Sequence, residues 1–499
     1  MAEVRLAGWR GDALALAAGA LLPAAFAPLG LWPLAVAAPA VLWLAWLDAP
    51  PGRALWRGWL FGLGLFGVGV SWVFVAIHEF GHTPAPLAAV LTFLFIAFLA
   101  LFPAAQGWAS ARLAGAGEAR RPAVLLLAWP ALWVLAEWAR GRFLTGFPWL
   151  HLGYSQTDSP LAGLAPVAGV YGVSLAVALS AGLVLAGLAG RLRGRAWAAG
   201  LAALWLGAWL LGRIAWSGPA GEPIRVALVQ GNVPQATKWA PGSVERRLRT
   251  YAALTREHWD ADVVIWPENS LTVFYHRLAE PFFTPLVAEA RAHGTELLVG
   301  LPVQEPDGRY HSSFVHFNGG VHFYHKTHLV PFGEYVPLER WLRGLIGFFD
   351  LPMSGFSPGP ADQAPLALRG RPVAVSICYE DAFGEELIRW LPRAELLVNG
   401  SNNAWYGDSL APHQHLQISR MRALETARPL LRVTTNGISA ITDARGRVLA
   451  RSPQFATHVL RGEVRPHRGA TPYVRAGNAP VLGLALLMLA AAAAWRRLL

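Results

Sequence analysis

Between residues 12 and 216 the chain runs through seven apolar stretches, at about 11–28, 31–47, 56–77, 86–108, 122–139, 160–190 and 196–216, and an eighth lies at about 479–495. A helix needs roughly 20 apolar residues to cross a hydrocarbon core ~30 Å thick. Each stretch is long enough, or nearly so, and helices satisfy their own backbone polar groups inside a bilayer. The first stretch reads as a retained span rather than a cleaved signal peptide, because no clear polar cleavage region follows and the second begins at once. Composition agrees: 54% of residues are hydrophobic and 15% charged, too apolar for a soluble protein of this length.

Arginine sets the orientation, since positively charged loops stay cytoplasmic. Arg5, Arg10, Arg53, Arg57, Arg112, Arg120, Arg121, Arg191, Arg193, Arg195, Arg496 and Arg497 all fall on one side of this arrangement, whereas the opposite short loops hold only Arg140 and Arg142. Both termini are therefore expected in the cytoplasm, with everything after the seventh span outside until the eighth returns the chain. Topology also accounts for much of the net charge of +11; the basic residues form no run interleaved with aromatics, so nucleic acid is not the expected partner.

From about 218 to 473 the composition becomes that of a soluble α/β domain. Short apolar runs at 224–230, 262–267, 295–301, 372–378, 394–399 and 430–442 read as strands, and 243–259, 279–293 and 412–427 as helices. Residues 310–325 read as an antiparallel hairpin closed by Asn318-Gly319-Gly320. The expected organisation is a seven-helix transmembrane domain (1–217), an α/β domain (218–473) and a C-terminal transmembrane helix (474–499).

Three strand-like runs in that domain end on a reactive group. VVIWPENS presents Glu268 after Pro267, which ends strand pairing. FYHKTHLVPFGEYVP carries Lys326 and Glu334, and VAVSICYED carries Cys378, the only cysteine in the chain. A single cysteine excludes a disulfide framework and any Cys-based zinc or iron–sulfur site. At the end of a strand it is either a buried structural thiol or a nucleophile. Only two lysines, Lys238 and Lys326, survive among 42 basic residues, which singles both out. Glu, Lys and Cys suffice for acyl transfer through a thioester: the carboxylate accepts the thiol proton, and the ammonium with a backbone N–H such as that of Tyr379 stabilises the oxyanion.

WPE, then HK with PFGEYVP, then CYE, in this order and spacing, resemble the carbon–nitrogen hydrolase (nitrilase) superfamily, whose triad is Glu, Lys, Cys. The spans together with EWARGRFLTGFPWLHLGYSQ at 137–156, VQGNVPQATKW at 229–239 and KTHLVPFGEYVP at 326–337 resemble its apolipoprotein N-acyltransferase branch, over essentially the whole chain. The resemblance implies a polytopic α-helical membrane domain in the bacterial inner membrane and a periplasmic nitrilase-like αββα sandwich. The implied reaction moves a fatty acyl chain from a phospholipid, phosphatidylethanolamine being the expected donor, to the N-terminal amine of a diacylglyceryl-cysteine on an apolipoprotein. Carried over by motif, Glu268 is the general base, Lys326 the oxyanion and thiolate stabiliser and Cys378 the nucleophile, with Trp239, Glu334, Tyr379 and Glu380 in support. No cofactor or metal is implied, and a monomer is expected.

Two other readings stay open: a membrane-anchored amidase or nitrilase-type hydrolase that releases its acyl group to water, and a transporter carrying a non-catalytic domain. Residues 341–356, rich in Trp, Leu, Ile and Phe, are either an apolar arm dipping into the lipid or a piece of domain core. Lys238 beside Trp239 is either a lipid-phosphate ligand or a solvated side chain. Glu79 and Glu137, with His78, His82, Arg140 and Arg142 nearby, lie near span ends, where they would meet headgroups.

Overall fold

The computed structural model describes residues 8–114, 122–192, 194–235, 238, 242–337 and 355–497. The chain forms two compact units, one of Met1–Phe74, Ala85–Ala215 and Arg475–Leu499, the other of Val75–Pro84 and Trp216–Val474. Trp239 and residues 341–354 of the expected apolar arm lie outside the described residues.

The first unit is helical: Gly8–Leu21, Leu34–Trp46, Pro51–Gly69, Ala85–Leu99, Leu101–Ala114, Trp129–Arg140, Ala165–Leu188, Ala196–Leu211 and Ala479–Arg497. Each of the eight apolar stretches thus carries helix. Ala85–Ala114 and Pro160–Leu188 are long and apolar enough to cross a membrane, or three segments are if the pair Pro51–Gly69 and Val73–Phe80 is taken as one span. Leu34–Trp46, Ala196–Leu211 and Ala479–Trp495 are shorter apolar helices.

Glycine sets the packing in this unit. A Cβ on Gly58 would run into the Pro103 carbonyl, and one on Gly107 into that of Ala54, so these helices meet backbone to backbone. Buried polar groups of the 137–156 motif anchor loop backbone. Glu137 Oε1 accepts from Trp133 Nε1 at 3.0 Å and from the Leu152 N–H at 2.7 Å. Arg140 Nη1 donates to the carbonyls of Phe147 at 2.7 Å and Trp149 at 2.6 Å.

The second unit contains strands β1 (Ser217–Pro219), β2 (Ile224–Gln230), β3 (Val263–Trp266), β4 (Glu296–Gln304), β5 (Tyr310–Phe317), β6 (Val321–His325), β7 (Leu366–Leu368), β8 (Arg371–Ile377), β9 (Leu396–Ser401), β10 (Leu430–Thr434), β11 (Ala440–Thr442), β12 (Val448–Arg451), β13 (His458–Val464) and β14 (His467–Gly469). Among the described residues they form two six-stranded sheets, β13-β2-β3-β4-β5-β6 and β12-β11-β10-β9-β8-β7, and a small β1-β14 pair. In the first sheet β2, β3 and β4 run parallel, as do β8, β9 and β10 in the second.

Alternation along each strand decides the layers. Val226 and Leu228 of β2 and Ile265 of β3 join Val373, Val375, Leu396, Val398, Leu431 and Val433 of the other sheet in one core, so the two sheets pack face to face. The intervening residues Ala227, Val229, Val264 and Trp266 face outward, where Tyr251 and Ala252 of helix Ser243–Arg256 and Leu286 and Ala290 of helix Thr284–Ala292 cover them. Sheets apolar on both faces explain the nearly unbroken hydrophobic runs. Helix Ala411–Thr426 packs on the second sheet, completing helix, sheet, sheet, helix.

Some elements differ from the sequence reading. The run 430–442 is two strands, β10 and β11, paired antiparallel with Leu430 opposite Thr442, because turn-forming Asn436-Gly437 interrupts it. β13 carries no apolar run, yet it pairs with β2 along its whole length, from His458 opposite Gln230 to Val464 opposite Ile224.

Candidate active site

Three strand ends converge from the two facing sheets. β3 runs into Pro267-Glu268, β6 into Lys326, and β8 into a tight turn, Cys378–Ala382. Glu268, Lys326 and Cys378 are all buried, with Lys326 fully so. A buried charge must be paired to persist. Lys326 Nζ donates to Glu334 Oε1 at 2.7 Å and to Glu268 Oε1 at 3.2 Å. The second oxygen of each carboxylate takes a backbone N–H: Glu268 Oε2 accepts from Asn402 at 2.9 Å, Glu334 Oε2 from Val330 at 2.8 Å.

These contacts fix the electrostatics. Burial works against the charge on Lys326, but the carboxylates of Glu268 and Glu334 outweigh it and hold the ammonium well above its ordinary value. Burial pushes Glu334 up, with Glu268 adding to the shift and Lys326 opposing it. Burial also pushes the Cys378 thiol up, Glu268 and Glu334 reinforcing this, while Lys326 and the Asn402 backbone pull it down. The resting thiol is therefore neutral, and attack on a carbonyl requires a base at the moment of reaction. Lys326 lowers the thiol, but desolvation outweighs it.

Glu380, two residues past the thiol, is a clamp. Its Oε2 accepts from the Ile377 N–H at 2.7 Å, and its Oε1 from the Thr327 N–H at 2.6 Å, the Thr327 hydroxyl at 2.8 Å and the His328 N–H at 3.2 Å. The Tyr324 hydroxyl reaches both oxygens, at 3.0 and 2.9 Å. One carboxylate thus joins the cysteine turn to the segment holding Lys326. Tyr379 packs its ring edge-on against Phe383 and His328.

Residues outside the motifs also reach this cluster. The Tyr406 hydroxyl interacts electrostatically with Cys378, Lys326, Glu268 and Glu334; burial, then Cys378, Glu268 and Glu334, push it up, with Lys326 opposing. Lys238 is buried too, and its ammonium is lowered to about 7 by burial and by Arg247, with Glu268 and Cys378 opposing. A solvated Lys238 is thereby corrected to a buried one. Of the expected apolar arm, Phe356 is buried, its N–H donating to the Glu334 carbonyl at 2.9 Å.

A thiol, two carboxylates and an ammonium at the ends of facing sheets constitute a site of the carbon–nitrogen hydrolase class, and residues 225–472 match the family model described as carbon-nitrogen hydrolase. Residues 18–183 match the apolipoprotein N-acyltransferase N-terminal domain. The chain is 47% identical over 94% of its length to apolipoprotein N-acyltransferase of Methylococcus capsulatus, covering 93% of that protein. It is 46% identical over 98% of its length to that of Azotobacter vinelandii, covering 96%. A solved carbon-nitrogen hydrolase from Helicobacter pylori is also similar, at 19% identity and a TM-score of 0.38, over 49% of this chain and 89% of that one. The chain belongs to the apolipoprotein N-acyltransferase family.

Proposed function

We propose that this protein transfers a fatty acyl chain from a phospholipid to the α-amine of a diacylglyceryl-cysteine, through a thioester on Cys378. The observation that carries the reading is the Lys326 ammonium held between Glu268 and Glu334, in electrostatic contact with the thiol, in a chain related end to end to proteins named for this reaction.

In the first half-reaction Cys378 Sγ attacks the ester carbonyl while its proton passes to Glu268. Lys326 and the Tyr379 N–H stabilise the oxyanion, and Glu268 returns the proton to the departing lysophospholipid oxygen. In the second, the acceptor amine, entering neutral, attacks the thioester and loses a proton to Glu268. The thiolate leaves and recovers that proton, and the amide formed is more stable than the thioester consumed. Glu334 and Glu380 keep Lys326 and the cysteine turn in place, and Trp239 and Tyr379 are supporting residues by motif match. Burial of the triad favours the amine over water as acceptor.

The helical unit is the membrane domain in this reading, with both termini cytoplasmic and the α/β unit on the periplasmic side of a bacterial inner membrane. Its apolar helices and one-sided arginines support that placement.

Mass spectrometry of the full-length protein after incubation with phosphatidylethanolamine and no acceptor tests the reading. An acyl adduct on the Cys378 peptide, released by neutral hydroxylamine, passed to a diacylated lipopeptide and missing in Cys378→Ala, is the expected result. Acceptor acylation by Cys378→Ala at the wild-type rate would overturn it.

A further inference from the structure

Behind the thiol lies a polar network that the chemistry above leaves unused. Asn399 Nδ2 donates to the Cys378 carbonyl at 3.3 Å, and His415 Nε2 lies 3.2 Å from that oxygen and 2.9 Å from Asp381 Oδ1. Arg432 is the hub. Its Nη1 donates to Asn399 Oδ1 at 2.5 Å, Ser419 Oγ at 2.8 Å and Asp381 Oδ2 at 3.3 Å, and its Nη2 to Asn403 Oδ1 at 3.2 Å. Asp381, Asn399 and Arg432 are fully buried and His415 and Asn403 nearly so.

The hydrogen-bond pattern fixes the protonation. His415 Nε2 faces two acceptors and carries the proton, while Nδ1, 3.2 Å from Asn403 Nδ2, accepts. The guanidinium holds Asn403 Oδ1, so its amide cannot turn over to receive a second imidazole proton. Burial and Arg432 accordingly push His415 down, with Asp381 opposing. Burial would raise Asp381, but His415 and Arg432 outweigh it and keep the carboxylate ionised. An ion pair with a neutral imidazole has no proton to contribute to acyl transfer, so its use is geometric.

Two features need such support. Cys378 has φ of 52°, in the left-handed region that a non-glycine residue occupies only when its surroundings enforce it. Glu268 is oriented by the N–H of Asn402, the residue next to Asn403. Taking Cys378 as nucleophile and Glu268 as base, on which this inference rests, we propose that Arg432, with His415 and Asp381, sets the two against each other. One arm of the guanidinium fixes the cysteine turn through Asp381 and Asn399, and the other fixes Asn403 and with it the N–H that aims the base. These are positioning residues: none needs to touch substrate.

The test is the single-turnover rate of Cys378 acylation by phosphatidylethanolamine in full-length Arg432→Lys, His415→Ala and His415→Gln, followed by mass spectrometry and normalised to folded protein. Arg432→Lys keeps a charge opposite Asp381 but has no second arm. Arg432→Lys and His415→Ala are expected to acylate roughly 10- to 100-fold more slowly at an unchanged half-saturating donor concentration. His415→Gln, which retains a donor near the Cys378 carbonyl, is expected to recover much of the rate. Rates within threefold of wild type, or a loss confined to the folded fraction or to donor affinity, would overturn the proposal. Should Arg432→Lys fail to fold, the His415 pair decides by the same criteria. An unacylated wild-type Cys378 would instead defeat the nucleophile assignment beneath it.

Discussion

Lys326 Nζ stands closer to Glu334 than to Glu268, at 2.7 Å against 3.2 Å. The ammonium is shared unequally, and the larger share goes to the carboxylate without a proposed proton-transfer role. Glu334 thereby draws the ammonium away from Glu268. Replacing Glu334 by Gln should let Lys326 pair fully with Glu268 and tie up the carboxylate proposed to take the thiol proton. Cys378 acylation is expected to fall roughly 10- to 100-fold, whereas Glu268→Gln, which removes the proposed base, should cost about 100- to 10,000-fold. Stopped single-turnover acylation of the two variants measures both. Equal losses would mean that Glu334 does not act through Glu268.

The pH behaviour of the free thiol follows from its burial. Burial and Glu268 raise the Cys378 thiol, so the fraction present as thiolate is small at neutral pH and grows as pH rises toward the elevated value. Alkylation by iodoacetamide, which needs the thiolate, is expected to increase steadily from pH 7 to 9.5 in the resting enzyme, with no plateau. A plateau below pH 8 would show an already ionised nucleophile.

The strand ends that carry Glu268, Lys326 and Cys378 were legible because each apolar run stops on a residue whose chemistry is out of place there. Glu334 and Glu380 came from motifs beside them. Asn402, His415 and Arg432 were not legible. Arg432 sits inside the apolar strand LLRVT, and His415 on a helix buried nearly all round, where no spacing rule marks one polar residue over another. Their partners, Asp381 and Asn403, lie 51 and 29 residues from Arg432. Such pairing is set by the register of β8, β9 and β10, which no strand encodes alone. β13 was missed for a related reason: its sequence HVLRGEV is strand only because β2 offers an edge to pair with.

The Glu380 clamp makes a graded prediction. Its two oxygens are surrounded by donors alone, so Glu380→Gln turns an amide N–H₂ against at least one of them. A buried polar group left unsatisfied costs about 1–3 kcal/mol. Glu380→Gln is expected to lower thermal stability measurably and to abolish most acylation, since the Lys326 segment loses its tie to the cysteine turn. Tyr324→Phe removes one donor and leaves the backbone contacts, so a loss of about 1 kcal/mol with most activity retained is expected. Thermal unfolding and acylation assays of the two variants should rank them in that order.

Glu268 is also held from behind, by a glycine. The Pro267-Glu268 turn crosses so close to β4 that a Cβ on Gly300 would overlap the Pro267 carbonyl oxygen, and the Ser270 N–H and hydroxyl both donate to the Gly300 carbonyl, at 2.9 and 2.8 Å. Gly300→Ala therefore has to push the turn outward. Overpacking of this kind costs about 1–3 kcal/mol, and displacement of the carboxylate from Lys326 and the Asn402 N–H should slow Cys378 acylation roughly 10- to 100-fold. Gly218→Ala is the matched control, because nothing lies within 4 Å of the added methyl. Acylation that is normal in the control and slow in Gly300→Ala, at equal amounts of folded protein, would trace the loss to the placement of Glu268. Normal acylation in both would mean that the turn tolerates the shift and that the close approach serves only the packing of β3 on β4.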